Sequence, residues 1–281
     1  VKRLADLRPS DSAEATADRR TYLITIDPVF TIGSKVHGGA LQAISSYAAL
    51  RAFADTAPDG TEIPADLAPI AVASNFLGAP DPAEVEVVVW VRKRGRRISL
   101  VEVEIVQGGR TRVSSSITLG RPDTAEPHYV APQAITEMPV EPPADVEWTK
   151  DSAMSDIVHL TGAIDMAYDP ATTPMVRGET GAPLMRIWAR PSDSDPDGPF
   201  AVLCGDLSAP VVMNLGLIGW APTLQLTAYL RRAPAPGWLR IESSTSEVGA
   251  GWFEEDHRVI DSTGALVAQS RQLALIPEGA P

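Results

Sequence analysis

The chain predicts an α+β protein built from two copies of one unit, each a strand and a helix followed by an antiparallel meander. Three observations carry the prediction. Ala68-Pro69-Ile70-Ala71-Val72-Ala73-Ser74-Asn75-Phe76-Leu77 and Ala221-Pro222-Thr223-Leu224-Gln225-Leu226-Thr227-Ala228-Tyr229-Leu230 both open on Ala-Pro and close on an aromatic and a leucine. Between those ends, small or polar residues alternate with apolar ones. Each segment is followed by three strand-like runs joined by glycine-containing turns, and each is preceded by a strand and a helical stretch.

In the first copy, residues 21–27 alternate with period two and read as a strand. His37-Gly38-Gly39 opens a helical stretch over 40–53, where Leu41, Ile44, Ala48 and Ala52 recur near helical spacing. The meander continues through 85–91, a turn at Gly95, then 98–106, the Gly108-Gly109 turn and 111–119. In the second copy, 185–189 is the first strand. Residues 200–215 are the helical candidate, punctuated by Gly205 and Pro210. Its meander runs through 238–245, 252–260 and 266–275, with turns at Gly249-Ala250-Gly251 and Asp261-Ser262-Thr263-Gly264. The expected units are therefore 15–120 and 182–277.

Between them, 121–181 carries Pro122, Pro127, Pro132, Pro139, Pro142 and Pro143. Proline offers no ladder donor, so Pro139-Val140-Glu141-Pro142-Pro143 is excluded from a sheet interior. The segment reads as a linker over the surface, with weak local structure around 154–160.

Composition narrows the function. The 281 residues, 44% hydrophobic and 21% charged, suit a globular chain with a sizeable core. A formal charge of -12 argues against sequence-independent nucleic-acid binding, which depends on neutralising phosphates. No run of about eighteen apolar residues occurs, so no membrane span is expected. The first residues also lack the apolar core of a signal peptide. Cys204 is the single cysteine, and no Cys/His cluster has zinc spacing. A cytoplasmic protein with no metal or cofactor is the expectation.

With the repeat in view, the chain resembles the double-hotdog acyl-CoA thioesterases of the thioesterase II (TesB-like) superfamily. The resemblance rests on His37-Gly38-Gly39, Arg94-Gly95-Arg96-Arg97, Gly205-Asp206-Leu207, Pro222-Thr223-Leu224 and Ala268-Gln269-Ser270-Arg271-Gln272, in that order. It implies a double hotdog: two fused repeats, each an antiparallel sheet wrapped around a central helix. It also implies hydrolysis of fatty acyl-CoA by a water that an Asp, a Thr or Ser, and a Gln orient. Those roles fall by position on Asp206, Thr223 and Gln272.

The chemistry of the trio is workable. Asp206 would accept the water's proton, and its flanks Val202, Leu203 and Leu207 would raise its pKa by burial. Thr223 and Gln272 would fix the water without competing as nucleophiles. Gly38 and Gly39, opening a helix, would offer backbone N–H groups to the oxyanion, with His37 beside them as a substrate ligand or helix-start residue. Arg94 and Arg96, in a turn of five positive charges, would receive the CoA phosphates or simply form an exposed hairpin. His257 reads as a solvated strand position. No carboxylate lies in 38–53, so one site per chain is expected.

Two other functions compete. A catalytically silent acyl-CoA-binding protein would keep the same fold. An enoyl thioester hydratase needs an Asp followed closely by a His, and Asp206 has none after it in sequence. A homodimer is the expected assembly.

Overall fold

The computed structural model describes residues 1–11 and 15–277. In chain order the first half holds β1 (Arg8–Pro9), β2 (Arg19–Thr25), β3 (Thr31–Ile32), β4 (Lys35–Val36), α1 (Gly38–Asp55), β5 (Ala68–Phe76), β6 (Glu84–Lys93), β7 (Ile98–Gln107) and β8 (Arg110–Gly120). The second holds β9 (Ile164–Tyr168), β10 (Leu184–Pro191), α2 (Gly198–Leu203), β11 (Thr223–Leu230), β12 (Leu239–Ser244), β13 (Trp252–Ile260) and β14 (Leu266–Leu275).

Apart from the small β3–β4 hairpin, these strands form one 12-stranded sheet of order β1-β2-β6-β7-β8-β5-β11-β14-β13-β12-β10-β9. Read outward from its centre, the two sides give the same sequence of elements: β5-β8-β7-β6-β2 on one and β11-β14-β13-β12-β10 on the other. The internal repeat is real, and the fold is the expected double hotdog. The halves join where β5 and β11 pair antiparallel, from Asn75 opposite Gln225 to Ala71 opposite Tyr229. Buried Gln42 reinforces that seam from α1, donating through Nε2 to Leu226 O at 3.0 Å and Ser74 Oγ at 3.1 Å.

Local chemistry explains the turns and caps. Gln107 pairs with Arg110 across Gly108 and Gly109, whose φ values of 61° and 71° are those of a type I′ hairpin. α1 begins at His37, whose Nδ1 accepts the Ala40 N–H at 3.2 Å. Its end is held by Arg94, which donates to Phe53 O at 2.8 Å and to Thr56 Oγ1. The sheet wraps α1 and α2 packs against it, so burial extends beyond Leu41, Ile44, Ala48 and Ala52 to Gln42, Ser45 and Ser46. The two serines are satisfied by back-bonds to Leu41 O and Gln42 O.

The 200–215 stretch departs from expectation. It is not one helix: α2 stops at Leu203, a 3₁₀ turn covers Cys204–Asp206, and a second 3₁₀ segment covers Val211–Leu215. Pro210 precedes that second segment and breaks the ladder between the pieces. Gly198–Leu215 has a mean hydropathy of 1.3, enough by composition for a membrane span, yet it is 67% buried in this core and interrupted.

The intervening segment also has more structure than a linker. β9 lies inside it and pairs with β10, so the strands of the second half begin before residue 182. Ile135 and Met138 pack with Trp188 and Trp238 on the side of β10 turned away from α2. Trp188 Nε1 donates to Pro139 O at 2.8 Å and Arg240 Nη1 to Met138 O at 2.7 Å. The proline-rich stretch therefore covers the outer face of the second half without entering the sheet. Its far end reaches the first half, where Thr31 Oγ1 meets His159 Nδ1 at 2.6 Å.

Candidate active site

Strand register lets the inner faces of the halves be matched residue by residue. In the first half, Val72 pairs with Ile117, which pairs with Val101; one step along, Ser74 pairs with Ser115, Ser115 with Val103 and Val103 with Val89. In the second, Leu226 pairs with Gln272, which pairs with Glu255; one step along, Ala228 pairs with Ser270, Ser270 with His257 and His257 with Ser243. All of these are buried. Positions held by Val101, Val103 and Ile117 in one half are thus held by Glu255, His257 and Gln272 in the other.

Asp206 ends the 3₁₀ turn that follows α2 and faces the start of α1. Its Oδ2 accepts the Gly39 N–H at 2.7 Å, and its backbone oxygen meets His37 Nε2 at 2.7 Å. His37 Nδ1 is already an acceptor for Ala40, so Nε2 carries the proton and donates. The same Nε2 lies 3.5 Å from the carboxylate. Burial pushes the Asp206 carboxyl above the usual carboxylate range; His37, His257 and the Gly39 hydrogen bond oppose that rise, and Glu255 adds to it. Approach this close requires glycine. A Cβ on Gly38 would stand 2.6 Å from Asp206 Oδ2, and one on Gly39 would stand 2.5 Å from Leu203 O.

Thr223 and Gln272 meet directly, the threonine hydroxyl donating to Gln272 Oε1 at 2.7 Å. Two residues before Gln272, on the same face of β14, Ser270 donates to Gly205 O, the residue preceding Asp206. The expected trio thus resolves into two hydrogen-bonded groups on neighbouring elements, Thr223–Gln272 and Asp206–His37–Gly39. No direct hydrogen bond links the groups among the described residues.

Several expectations change. The Gly39 N–H, anticipated as an oxyanion donor, is occupied by Asp206, and His37 is a buried helix cap that holds the Asp206 backbone. Gly38 is the glycine that makes room for the carboxylate. Arg94 caps α1 with its guanidinium 4.1 Å from the Phe53 ring, and burial lowers its pKa. It sits at the far end of an 18-residue helix from Asp206, about 27 Å away along the axis, so it is engaged elsewhere than at the site. Arg96 is exposed on that turn. The repeat alignment also shifts by one: bulges after Pro69 and Thr223 make Pro69, not Ile70, the counterpart of Thr223.

His257 is the largest correction, because it is buried rather than solvated. Its Nε2 lies 2.9 Å from Ser208 Oγ and 3.2 Å from Glu255 Oε1. Ser208 donates to the same Glu255 oxygen at 2.7 Å, and Val211 N–H donates to the other at 3.0 Å. The signal was present in β13, where Phe253, Glu255, His257 and Val259 alternate with exposed or half-buried residues. The charges at those positions hid the alternation. Cys204 is buried and its thiol is pushed well up by burial, which removes it as a nucleophile. The described residues hold no group of three or more His, Cys, Asp or Glu suited to a metal ion.

Two helices wrapped by one continuous antiparallel sheet define a double-hotdog protein. The structure matches a provisionally assigned thioesterase II of Thermobifida fusca at TM-score 0.78 and 27% identity, covering 98% of this chain and 96% of that one. An acyl-CoA thioesterase II of Mycobacterium marinum shares the fold at TM-score 0.67 and 16% identity, covering 100% and 98% of the two chains. An uncharacterized protein of Mycobacterium tuberculosis is 40% identical over 286 residues, 96% of each chain. The family model for the acyl-CoA thioesterase N-terminal domain matches residues 25–120, and that for the C-terminal domain matches 132–276. The chain belongs to the acyl-CoA thioesterase family, and it is a thioester hydrolase.

Proposed function

We propose that the protein hydrolyses fatty acyl-CoA to free fatty acid and CoA, with Asp206 as general base and Thr223 and Gln272 holding the water. The observation that carries this reading is the Asp206 carboxylate, its side chain 9% exposed, at the start of α1 beside the half whose inner face carries Glu255, His257 and Gln272. In the reaction, water attacks the thioester carbonyl carbon while Asp206 takes its proton. The tetrahedral oxyanion collapses, the carbon–sulfur bond breaks, and the proton passes from Asp206 to the departing sulfur. Thr223 and Gln272 polarise and orient the water from the β11–β14 side. The Gly39 amide, held by the ionised carboxylate, becomes available to the oxyanion as Asp206 accepts the proton.

With this reading go a role in lipid metabolism, a cytoplasmic location and a homodimer. Arg96, exposed on its turn, remains the candidate for the CoA phosphates, while Arg94 serves the helix. The deciding experiment is release of free thiol from a panel of acyl-CoAs of graded chain length by the purified protein. Turnover of at least one ester supports the reading. Binding without thiol release at any length would leave the silent acyl-CoA binder. A hydratase has a specific observation in its favour, since two imidazoles absent from the Asp206 neighbourhood in sequence stand beside it in space. It would consume an enoyl ester without releasing thiol in the same panel.

A further inference from the structure

Buried Glu255 and His257 form, with half-buried Ser208, a polar cluster that water activation by Asp206 does not use. Glu255 is 0% and His257 1% exposed, both on a sheet face whose counterpart positions are valines. A serine, a histidine and an acid in contact suggest a nucleophilic triad, but the geometry rejects it. Both Ser208 Oγ and Glu255 Oε1 address the same ring nitrogen, Nε2, and the serine proton is already donated to the glutamate. A triad needs the acid on Nδ1 and the serine on Nε2. Here Nδ1 is buried with no hydrogen-bond partner.

What the cluster does grip is the chain leaving Asp206. Glu255 accepts from Ser208 and from the Val211 N–H, and Tyr168 accepts the Ala209 N–H at 2.9 Å. From the other side, His37 holds the Asp206 backbone oxygen and Ser270 holds that of Gly205. We propose that Glu255 and His257 are a positioning pair for the hydrolysis, fixing the 206–211 segment through Ser208 and Val211 and setting the electrostatic field at the Asp206 carboxylate. This rests on the reading of Asp206 as the general base.

The titratable groups facing Asp206 are His37 from the start of α1 and Glu255 and His257 from β13; Tyr168 of β9 is in turn acted on by Glu255. The imidazoles favour the ionised carboxylate and Glu255 disfavours it. A field role therefore predicts displacements of opposite sign, which a purely structural role does not. The experiment compares the pH profiles of kcat/KM for His257→Gln and Glu255→Gln with the wild type on one acyl-CoA, with melting followed in parallel. Glutamine at 257 keeps a donor near the Nε2 position, and glutamine at 255 keeps the shape of the acid.

The acid limb is expected to move to higher pH in His257→Gln and to lower pH in Glu255→Gln, with KM nearly constant. Ser208→Ala, which changes no charge, is expected to lower kcat about tenfold, the loss of one hydrogen bond of ~1.4 kcal/mol, with the limb in place. Limbs that stay with the wild type, or that move in the same direction, overturn the proposal. Should either single variant fail to fold, the other carries the test, and a limb that stays with the wild type or moves against its stated direction overturns the proposal. Asp206→Asn separates the two failures: if it stays fully active, the general-base reading falls; if it is dead while the limbs coincide, only the positioning pair falls.

Discussion

From matched register positions, one half of the sheet turns Val101, Val103 and Ile117 toward its helix, and the other turns Glu255, His257 and Gln272. The helices differ in step. α1 runs 18 residues over the apolar face, whereas α2 stops after 6 and gives way to the broken stretch that carries Asp206 and Ser208. Nine residues past its helix cap, the second half places Asp206 (cap Asp197), and the first places Ser46 (cap His37), whose hydroxyl folds back onto Gln42 O. Even the cap contact is mirrored: Tyr47 of α1 donates to Asp197 of the α2 cap at 2.6 Å, as Asp206 reaches the α1 start. The duplicated halves thus differ at matched positions, with valine and isoleucine in one where the other buries Glu255, His257 and Gln272.

The largest effect that separates the halves should come from Asp206→Asn. Turnover is expected to fall roughly 10²–10⁴-fold, the usual worth of a general base, while Ser46→Ala leaves it unchanged. The stability of Asp206→Asn should go the other way. The folded carboxyl pKa is raised, so its stabilising contribution is complete below the unfolded pKa and lost as pH rises through the folded one. At neutral pH the asparagine variant should therefore melt at or above the wild type, with the gap closing in acid, as calorimetry would check.

Next in size, Thr223→Val and Gln272→Leu should each lower kcat roughly tenfold or more. Their double variant should be little worse than either, because the 2.7 Å bond between them is lost at the first step. Independent, multiplying losses would sever the pair. The smallest effect belongs to the apolar half. Val103→Ala should cost about 2 kcal/mol of stability and Arg94→Ala about 1 kcal/mol, both read as a lower Tm with kcat and KM unchanged. A raised KM for CoA esters in Arg94→Ala would return that residue to the substrate.

Legibility in the sequence followed the same divide. The meander strands were readable because they are local: period-two alternation and glycine turns set 252–260 and 266–275 at the ends β13 and β14 actually have. Residues 40–53 announced α1 by its apolar spacing, although wrapping by the sheet buries more than one face. What could not be read was the product of contacts across the chain. Pro210 marked the break in 200–215, but the path of the broken stretch is held by bonds that Ser208 and Val211 make to β13, more than forty positions away. Gly39 looked free because its partner, Asp206, lies 167 residues on. His257 looked solvated because Glu254, Glu255, Asp256 and Arg258 surround it in sequence, while the pleat sends Glu254, Asp256 and Arg258 to the opposite face and buries Glu255 beside it.

The seam between β5 and β11, sealed by Gln42, has a consequence for how the site is assembled. A catalytic constellation drawn from two separate hotdog chains would exist only while those chains were associated, and dilution would dissolve it. Here His37 and Gly39 come from one half and Asp206 from the other, yet both belong to a single covalent chain. Effective concentration, set by the intervening segment, replaces encounter. The seam also hides the two long strand edges that a lone unit would present, leaving only β1, of 2 residues, and β9, of 5, at the margins. The junction is thus complete in every folded molecule, at any concentration the protein meets.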